Sequence, residues 1–180
     1  MSIDARKPGE TFLEYRDRVI NKISPSFCGA KWYNATIWLG NGATTSCHHP
    51  PSHQIPLTDL ETSYKAIHNT TYKKAVRKQM LDGIRPKECD YCWKMENLGK
   101  DIISDRTHKS VIYTDQELLD AKDKLGATED VDLKTLEISF DPICNFACSY
   151  CNSSFSTTWQ KDINKNGPYQ NLVSDGAGAF

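Results

Sequence analysis

Three cysteines near the C-terminal end of the chain have a spacing that suits iron–sulfur chemistry. Cys144, Cys148 and Cys151 form a C-x3-C-x2-C arrangement, shortly after an apolar, strand-like segment that ends at Phe140. Thiolates are soft ligands that favour Fe–S clusters, Zn²⁺ or Cu(I) over hard cations. Three thiolates on one tight loop can bind three irons of a cubane [4Fe–4S] cluster and leave the fourth iron open to a substrate or cofactor.

Zinc is the main alternative at this loop. A structural zinc takes four ligands in a tetrahedron. No histidine follows Cys151, so a distant Cys or His would have to complete the site. Three unligated core thiols are a further interpretation, because free Cys often behaves as a small apolar residue. The ligand count and the spacing favour the cluster.

Four further cysteines, the first set in chain order, are spread over the first half of the chain. They are Cys28, Cys47 and the C-x2-C pair Cys89 and Cys92. Four thiolates suit a closed tetrahedral zinc site and equally a fully ligated [4Fe–4S] cluster. The residues by themselves leave both interpretations open.

Histidines follow Cys47 directly. His48, His49 and His53 invite a metal interpretation, because imidazole is a good ligand for zinc and iron. Two prolines between them impose an extended path, so the three rings need not converge. We predict that they are surface groups or outer-shell partners of a metal site rather than ligands.

The C-terminal loop resembles that of the radical S-adenosylmethionine (SAM) enzymes. Their hallmark is C-x3-C-x2-C with an aromatic residue before the third Cys, on the loop after the first strand of a β/α barrel. Tyr150 occupies that aromatic position. The resemblance implies that SAM chelates the open iron, with Tyr150 against the adenine and Phe146 also in contact with the cofactor. Reductive cleavage of SAM would then give a 5′-deoxyadenosyl radical that abstracts a substrate hydrogen.

The other four cysteines resemble the auxiliary [4Fe–4S] module of the SPASM and twitch groups of that family. The module begins with a Cys, a spacer and Gly-x4-Cys, and a C-x2-C pair follows later. Here thirteen residues separate Cys28 from Gly42, and Cys47 follows at the matching distance. The resemblance implies that Cys28, Cys47, Cys89 and Cys92 hold an auxiliary cluster. In this chain the module precedes the hallmark loop, as in one group of twitch-containing relatives.

Composition excludes several classes of function. The chain has 180 residues and a net charge of −1, which gives no reason to expect a nucleic-acid surface. The polar N-terminus has no signal-peptide core, and no apolar run approaches the roughly 20 residues of a membrane span. Seven cysteines without an export signal favour metal ligation over disulfides, and we expect a cytoplasmic protein.

Local patterns predict the elements that position the cysteines. A hairpin turning at residues 40–42 would deliver Cys47, and a helical turn over 89–97 would carry the C-x2-C pair. Further predictions are helices over 10–23, 63–69, 71–81, 115–125 and 149–163, a loop over 50–56, a linker over 126–132, and a strand over 133–140.

Several side chains are expected to lie at the surface. Helix 71–81 should expose its basic residues and bury an apolar face, and helix 115–125 is polar and expected to be exposed. His68 and His108 stand alone and are expected to be surface or capping residues. In helix 71–81 the basic residues are Lys73, Lys74, Arg77 and Lys78, and the apolar residues are Tyr72, Val76 and Met80.

Together these patterns predict an α+β protein with two domains. Residues 1–125 would form the auxiliary-cluster domain, and residues 133–180 the opening βα unit of a radical SAM barrel. The later barrel strands and the family's glycine-rich SAM motif have no counterpart here. We therefore expect little turnover from this chain alone, and a C-terminal third that is poorly ordered in isolation.

The resemblance implies an oxidoreductase that abstracts hydrogen from a peptide or a small molecule. Its partners would be SAM, that substrate and a low-potential electron donor, with neither nucleic acid nor membrane involved. Two alternatives stay open: a non-catalytic electron-transfer protein with two clusters, and a zinc-stabilised interaction module. Iron, sulfide and zinc contents would separate these possibilities.

Overall fold

The computed structural model of the chain describes residues 4–153 and 155–168. The chain divides into two compact units. Met1–Ile37 and Ala43–Glu137 form the N-terminal unit, and Trp38–Gly42 and Ile138–Phe180 form the C-terminal unit. Helices and one small sheet are both present, which confirms the α+β class. The predicted domain roles stay predictions, and the tail from residue 169 lies outside the described residues.

The helices are short. In chain order the α-helices of the described residues are α1 Phe12–Tyr15, α2 Asn21–Ile23, α3 Ala30–Tyr33, α4 Leu57–Thr62, α5 Thr71–Leu81, α6 Asp90–Asn97, α7 Asp105–Ser110, α8 Asp115–Asp120 and α9 Thr157–Asn166. π-Helical segments lie at Arg16–Ile20 and Ala121–Leu125, and 3-10 segments at Tyr64–Ile67 and Lys87–Cys89. Within residues 4–153 and 155–168, no helix combines the length and apolar character needed to cross a bilayer.

Local sequence signals account for where several helices begin and end. Thr11 and Thr114 form capping boxes with Glu14 and Glu117, so both threonines satisfy backbone N–H groups of the first turn. Helix α5 is followed by Gly83 at φ 77°, a conformation that costs glycine little. The predicted helices over 10–23, 71–81 and 115–125 are confirmed as helical stretches.

Other helix boundaries were predicted incorrectly. Helix α4 was not predicted, and the segment predicted as helix 63–69 contains only a 3-10 turn. Helix α9 begins at Thr157 rather than near residue 149, because Ser156 caps its first turn by accepting a hydrogen bond from Trp159 N. The chain before Ser156 is therefore left as an irregular loop, which carries the C-terminal cysteines.

One sheet of four strands runs in the order β3-β2-β1-β4. The strands are β1 Asn34–Trp38, β2 Ala43–Thr45, β3 His53–Gln54 and β4 Thr135–Ser139. Gly42, at φ 66°, lies in the turn between β1 and β2, which confirms the predicted hairpin. Hydrogen bonds of 2.9 Å join Lys134 N to Tyr33 O and Leu39 N to Ser139 O, so β4 runs parallel to β1. The predicted strand over 133–140 is also confirmed.

The core of the N-terminal unit contains cysteines as well as large apolar side chains. Its fully buried members include Tyr15, Ile20, Phe27, Trp32, Met80 and Leu118. Three of the four cysteines of the first set, Cys28, Cys89 and Cys92, belong to the same packed cluster. The hydrophobic core therefore also holds these thiols in place.

The basic residues of α5 are not all solvated, which corrects the predicted surface face. Lys73 and Arg77 are 3% and 0% exposed. Lys73 Nζ donates to Thr44 Oγ1 at 2.9 Å, and Arg77 donates to Lys31 O at 2.9 Å and Asn69 Oδ1 at 2.8 Å. These acceptors compensate for much of the lost water. Burial lowers the pKa of Lys73 to about 7.

Further predictions of exposure were also wrong. Tyr72, predicted on the apolar face of α5, is half-exposed. Leu118 is fully buried although its helix was expected to be exposed. The predicted linker over 126–132 is anchored, since Val131 N donates to Asn69 Oδ1 at 3.0 Å and Val131 is buried.

His68 caps the 3-10 segment Tyr64–Ile67, one of the two roles predicted for it, but it is buried rather than at the surface. Its Nε2 lies 2.5 Å from Trp32 O and 3.1 Å from Arg77 Nη2, and its Nδ1 has no hydrogen-bond partner among the described residues. Burial and the positive charge of Arg77 lower the pKa of His68 to about 3. The imidazole is therefore neutral near neutral pH.

We expect the free energy of unfolding to decrease as the pH falls below 6.5, the ordinary pKa of histidine. Below that pH the His68 side chain takes up a proton in the unfolded chain but stays neutral in the folded protein. Stability is therefore lost progressively between pH 6.5 and about pH 3, by at most about 1.4 kcal/mol per pH unit. Urea unfolding at several pH values should show a shallower dependence for His68→Gln, whose amide can still donate to Trp32 O. His53, with a pKa lowered by burial to about 4, leaves a residual slope. His108→Gln, at an exposed position, is the control, and identical slopes for the wild type and His68→Gln would contradict the prediction.

Candidate metal centres

The four cysteines of the first set line one cavity in the N-terminal unit. Cys28 lies before α3, Cys47 follows β2, and Cys89 and Cys92 lie at the start of α6. Cys28, Cys89 and Cys92 are buried, and Cys47 is half-buried. The fold therefore brings together side chains from three segments that are distant in sequence. The remaining lining residues are Ala30, Lys31, Ser46, His49, Pro50, Asp105, Arg106 and Lys109.

Two buried arginines hold the backbone on either side of Cys28. Arg106 Nη1 donates to Phe27 O at 3.1 Å, and Arg77 Nε donates to Lys31 O at 2.9 Å. Both guanidinium groups are at most 3% exposed. Hydrogen bonds from charged donors are among the stronger ones in proteins, so this segment has little freedom to move.

Gly29 allows the Cys28 segment to pack closely against the helices beside it. A Cβ at this position would lie only 2.7 Å from Leu118 Cδ2 and 3.0 Å from Tyr113 Cδ2. Its backbone N–H donates to Ser110 Oγ at 2.9 Å. A larger residue would displace Cys28 from the cavity wall.

The hairpin and the start of α6 supply the other three thiols. Asn34 Nδ2 donates to Ser46 O at 2.7 Å and fixes the chain next to Cys47. Trp93 Nε1 donates to Pro86 O at 2.8 Å and holds the 3-10 turn that leads into the C-x2-C pair. Each thiol is thus positioned by hydrogen bonds of its own segment.

The environment favours neutral thiols unless a cation is present. Burial raises the pKa of both Cys28 and Cys89 to about 12, and the other sulfurs nearby add to the effect. Burial also raises the pKa of Cys92. Metal ions and clusters bind thiolates, so they supply the positive charge that these thiols need in order to lose their protons.

A buried ion pair between Lys31 and Glu88 lies beside the cysteines. The two side chains are 4% and 9% exposed. Burial opposes the charge of Lys31, but the negative charges of Cys89 and Glu88 outweigh it and raise the pKa of Lys31. Sequence reasoning missed this lysine, because nothing in the run Ala-Lys-Trp-Tyr distinguishes it from a surface residue.

The spacing of the sulfur atoms bears on which metal the cavity suits. Around one tetrahedral zinc with Zn–S bonds of about 2.3 Å, any two sulfurs lie about 3.8 Å apart. Among the described residues, no three cysteine sulfurs lie within 4.8 Å of one another. In this structure the thiols are therefore not gathered as tightly as the ligands of one bound zinc.

The second set of cysteines lies on the loop between β4 and α9 in the C-terminal unit. Cys144, Cys148 and Cys151 are all half-buried. Cys144 N donates to Thr157 Oγ1 at 3.2 Å, and Trp159 Nε1 donates to Cys148 O at 3.1 Å, so the first turn of α9 holds the loop. Cys151 N donates to Cys148 O at 3.0 Å, which closes a tight turn between the last two cysteines.

Tyr150 and Phe146 lie next to these thiols with their rings exposed. Tyr150 is 80% exposed and Phe146 66%. The pKa of Tyr150 is raised mainly by its hydrogen bond to Cys148 and further by the charges of the three cysteines. Phe146 N donates to Cys144 Sγ at 3.4 Å. The contact of either ring with SAM stays a prediction.

The three histidines after Cys47 do not share one environment. His49 lines the cysteine cavity, and its Nε2 lies 2.8 Å from Asp105 Oδ2. His48 is exposed and also approaches Asp105. His53 lies in β3 instead, and its Nε2 is 2.9 Å from Thr70 Oγ1. Asp105 carries no recognisable sequence signal, so sequence reasoning missed it.

Comparisons with known proteins do not assign a family. No protein-family model matches the chain, and neither a curated protein nor a solved structure shows a significant match. The functional proposals therefore depend on the residues and contacts described above.

We expect Lys31→Met to destabilise the protein by roughly 3 kcal/mol, because it leaves the buried carboxylate of Glu88 unpaired. The double variant Lys31→Met/Glu88→Gln should recover much of that loss. Lys94→Met is the control: its ion pair with Asp90 is exposed, and its removal should cost no more than about 0.5 kcal/mol. Denaturant unfolding measures all three, and a loss for Lys31→Met no larger than for Lys94→Met would contradict the expectation.

Proposed function

We propose that the chain is an iron–sulfur protein of the radical SAM type with two [4Fe–4S] clusters. Cys28, Cys47, Cys89 and Cys92 bind a fully ligated auxiliary cluster, and the Cys144 loop binds a cluster whose open iron receives SAM. The observation that carries this proposal is the contrast between the two cysteine sets: four thiols converge on a buried cavity, whereas three share a half-exposed loop.

Four thiols that line one cavity suit a fully ligated cluster, which binds one thiolate at each of its four irons. Lys31, Arg106 and Lys109 line the cavity and offset the negative charge of four thiolates with iron.

The C-terminal loop supports a cluster with an accessible iron. Among the described residues, no group formed by two of these sulfurs and a ligand atom of His, Asp or Glu has all its members within 4.8 Å of one another. Tyr150 and Phe146 present exposed rings beside the thiols, and a flat ring suits stacking against a purine. An apolar face next to an open coordination position is what a small cofactor with a nucleoside would need.

When both are bound, the cluster and SAM supply a 5′-deoxyadenosyl radical for hydrogen abstraction from a peptide or small-molecule substrate. The chain's own residues hold three thiolates at one end of α9 and offer Tyr150 as a contact for the adenine. In the N-terminal unit the core encloses three of the four thiolates of the first set and limits the access of water to them. The protein positions and shields these groups, and the cofactors carry the chemistry.

Anaerobic reconstitution followed by iron, sulfide and zinc analysis tests the proposal. We expect about seven to eight irons per chain with matching sulfide, and about half of that for either Cys89→Ala or Cys148→Ala. Addition of SAM should change the electron paramagnetic resonance spectrum of the reduced wild type and of Cys89→Ala, but not of Cys148→Ala. A single zinc would indicate the interaction module, and two clusters that do not respond to SAM would indicate an electron-transfer protein.

Tyr150→Ala should weaken SAM binding by about tenfold while the iron content stays at the wild-type value, because the ring contacts the cofactor and not the metal. Titration of the SAM-dependent spectral change measures this affinity. Phe155→Ala, which removes another exposed ring from the same loop region, is the control. An affinity for SAM that does not respond to the Tyr150 substitution would remove this residue from the binding site.

A further inference from the structure

Two imidazoles and a carboxylate converge beside the cysteine cavity. His48 and His49 follow β2 and Cys47, and Asp105 is the first residue of α7. Their ligand atoms all lie within 4.8 Å of one another, and they form the only such group of three or more His, Cys, Asp or Glu side chains among the described residues. His49 Nε2 lies 2.8 Å from Asp105 Oδ2, and His48 Nε2 lies 3.5 Å from the same oxygen.

These two separations are close to those between neighbouring ligands of one metal ion. With metal–ligand bonds of about 2.1 Å and angles between octahedral and tetrahedral, adjacent ligand atoms lie about 3.0 to 3.4 Å apart. The distance of Asp105 Oδ2 from His49 Nε2, 2.8 Å, is just below that interval, and its distance from His48 Nε2, 3.5 Å, is just above it. The ligand atoms of the two imidazoles lie within 4.8 Å of one another, so the exposed His48 ring has to move for all three atoms to bind one ion.

Packing holds two of the ligands in place and leaves one side open. The ring of His49 stacks on Tyr91 with centroids 3.9 Å apart and planes 15° from parallel. The ring centroids of His48 and His49 are 4.0 Å apart. The side chain of His49 is 15% exposed, that of Asp105 32% and that of His48 61%. Exposure on the His48 side leaves room for water or another small ligand on a bound ion.

We propose that His48, His49 and Asp105 bind one divalent first-row transition-metal ion, such as Zn²⁺ or Fe²⁺, at the edge of the cysteine cavity and without a thiolate ligand. Two imidazoles and one carboxylate are the ligand set of non-haem iron centres and of mononuclear zinc sites with open positions. The nitrogen and oxygen ligands distinguish this site from the thiolate sites, which hold softer centres.

Lys109 is the group that competes with the ion. Its Nζ lies 3.1 Å from His48 Nδ1. An ammonium that donates to Nδ1 leaves the proton of the neutral ring on Nε2, which is the nitrogen facing Asp105. Metal binding requires Nε2 without its proton, so Lys109 has to move away. Removing its charge should therefore increase the affinity.

Cobalt(II) titration of the cluster-loaded full chain tests the site, since Co²⁺ replaces Zn²⁺ and its spectrum reports the ligand type. We expect one additional Co²⁺ per chain, with ligand-field bands and without a sulfur-to-cobalt charge-transfer band. His49→Ala and Asp105→Asn should each weaken binding at least tenfold, and Lys109→Met should strengthen it severalfold. A gain in affinity cannot result from misfolding, and iron analysis verifies that each variant keeps its clusters.

His108→Ala is the matched control, because it removes an exposed histidine from the same helix as Asp105. It should leave the cobalt affinity unchanged. The proposal is overturned by the absence of additional cobalt, by equal affinities in all variants, or by a sulfur charge-transfer band that disappears in Cys47→Ser. The last result would assign the ion to a mixed thiolate site.

Discussion

Burial disfavours the thiolate forms of Cys28, Cys89 and Cys92, and the N-terminal unit holds these cysteines with hydrogen bonds and places positive charge beside them. Arg106 and Arg77 bind the backbone carbonyls on either side of Cys28, so two buried cations fix the segment from opposite ends. The Lys31–Glu88 pair places a further positive charge beside the cysteines. Burial alone favours neutral thiols, so the cavity is best suited to a cationic centre that replaces their protons.

The two cysteine sets differ in burial, and this difference gives them different chemical capacities. Three of the four cysteines of the first set belong to the packed core of their unit, where water and small molecules have little access. The second is half-exposed on a loop that the first turn of α9 supports, with aromatic rings open to solvent. A cluster in the core can exchange electrons or stabilise the fold, whereas one on the loop can also bind a molecule directly. The His48, His49 and Asp105 group adds harder nitrogen and oxygen ligands at the margin of the core.

Features that depend on neighbouring residues were predicted well from the sequence. The helices over 71–81 and 115–125 and the turn at residues 40–42 are examples, since the residues that delimit them act over a few positions. The failures concern burial. Periodicity shows that α5 has a basic side, but only the packing of the unit decides that Lys73 and Arg77 point into the core. The burial of His68 was not predicted for the same reason, since its acceptor Trp32 O lies 36 residues away along the chain.

The sequence by itself determined the candidate ligands: seven soft thiols in sets of three and four, with a spacing that places three of them on one loop. Cysteine type and short spacing are local properties, so no folded structure is needed to read them. Tertiary structure alone decided which distant groups meet. Asp105 lies 56 residues from His49, and Glu88 lies 57 from Lys31. Contacts across such separations depend on how helices and hairpin pack, and packing is a property of the whole chain.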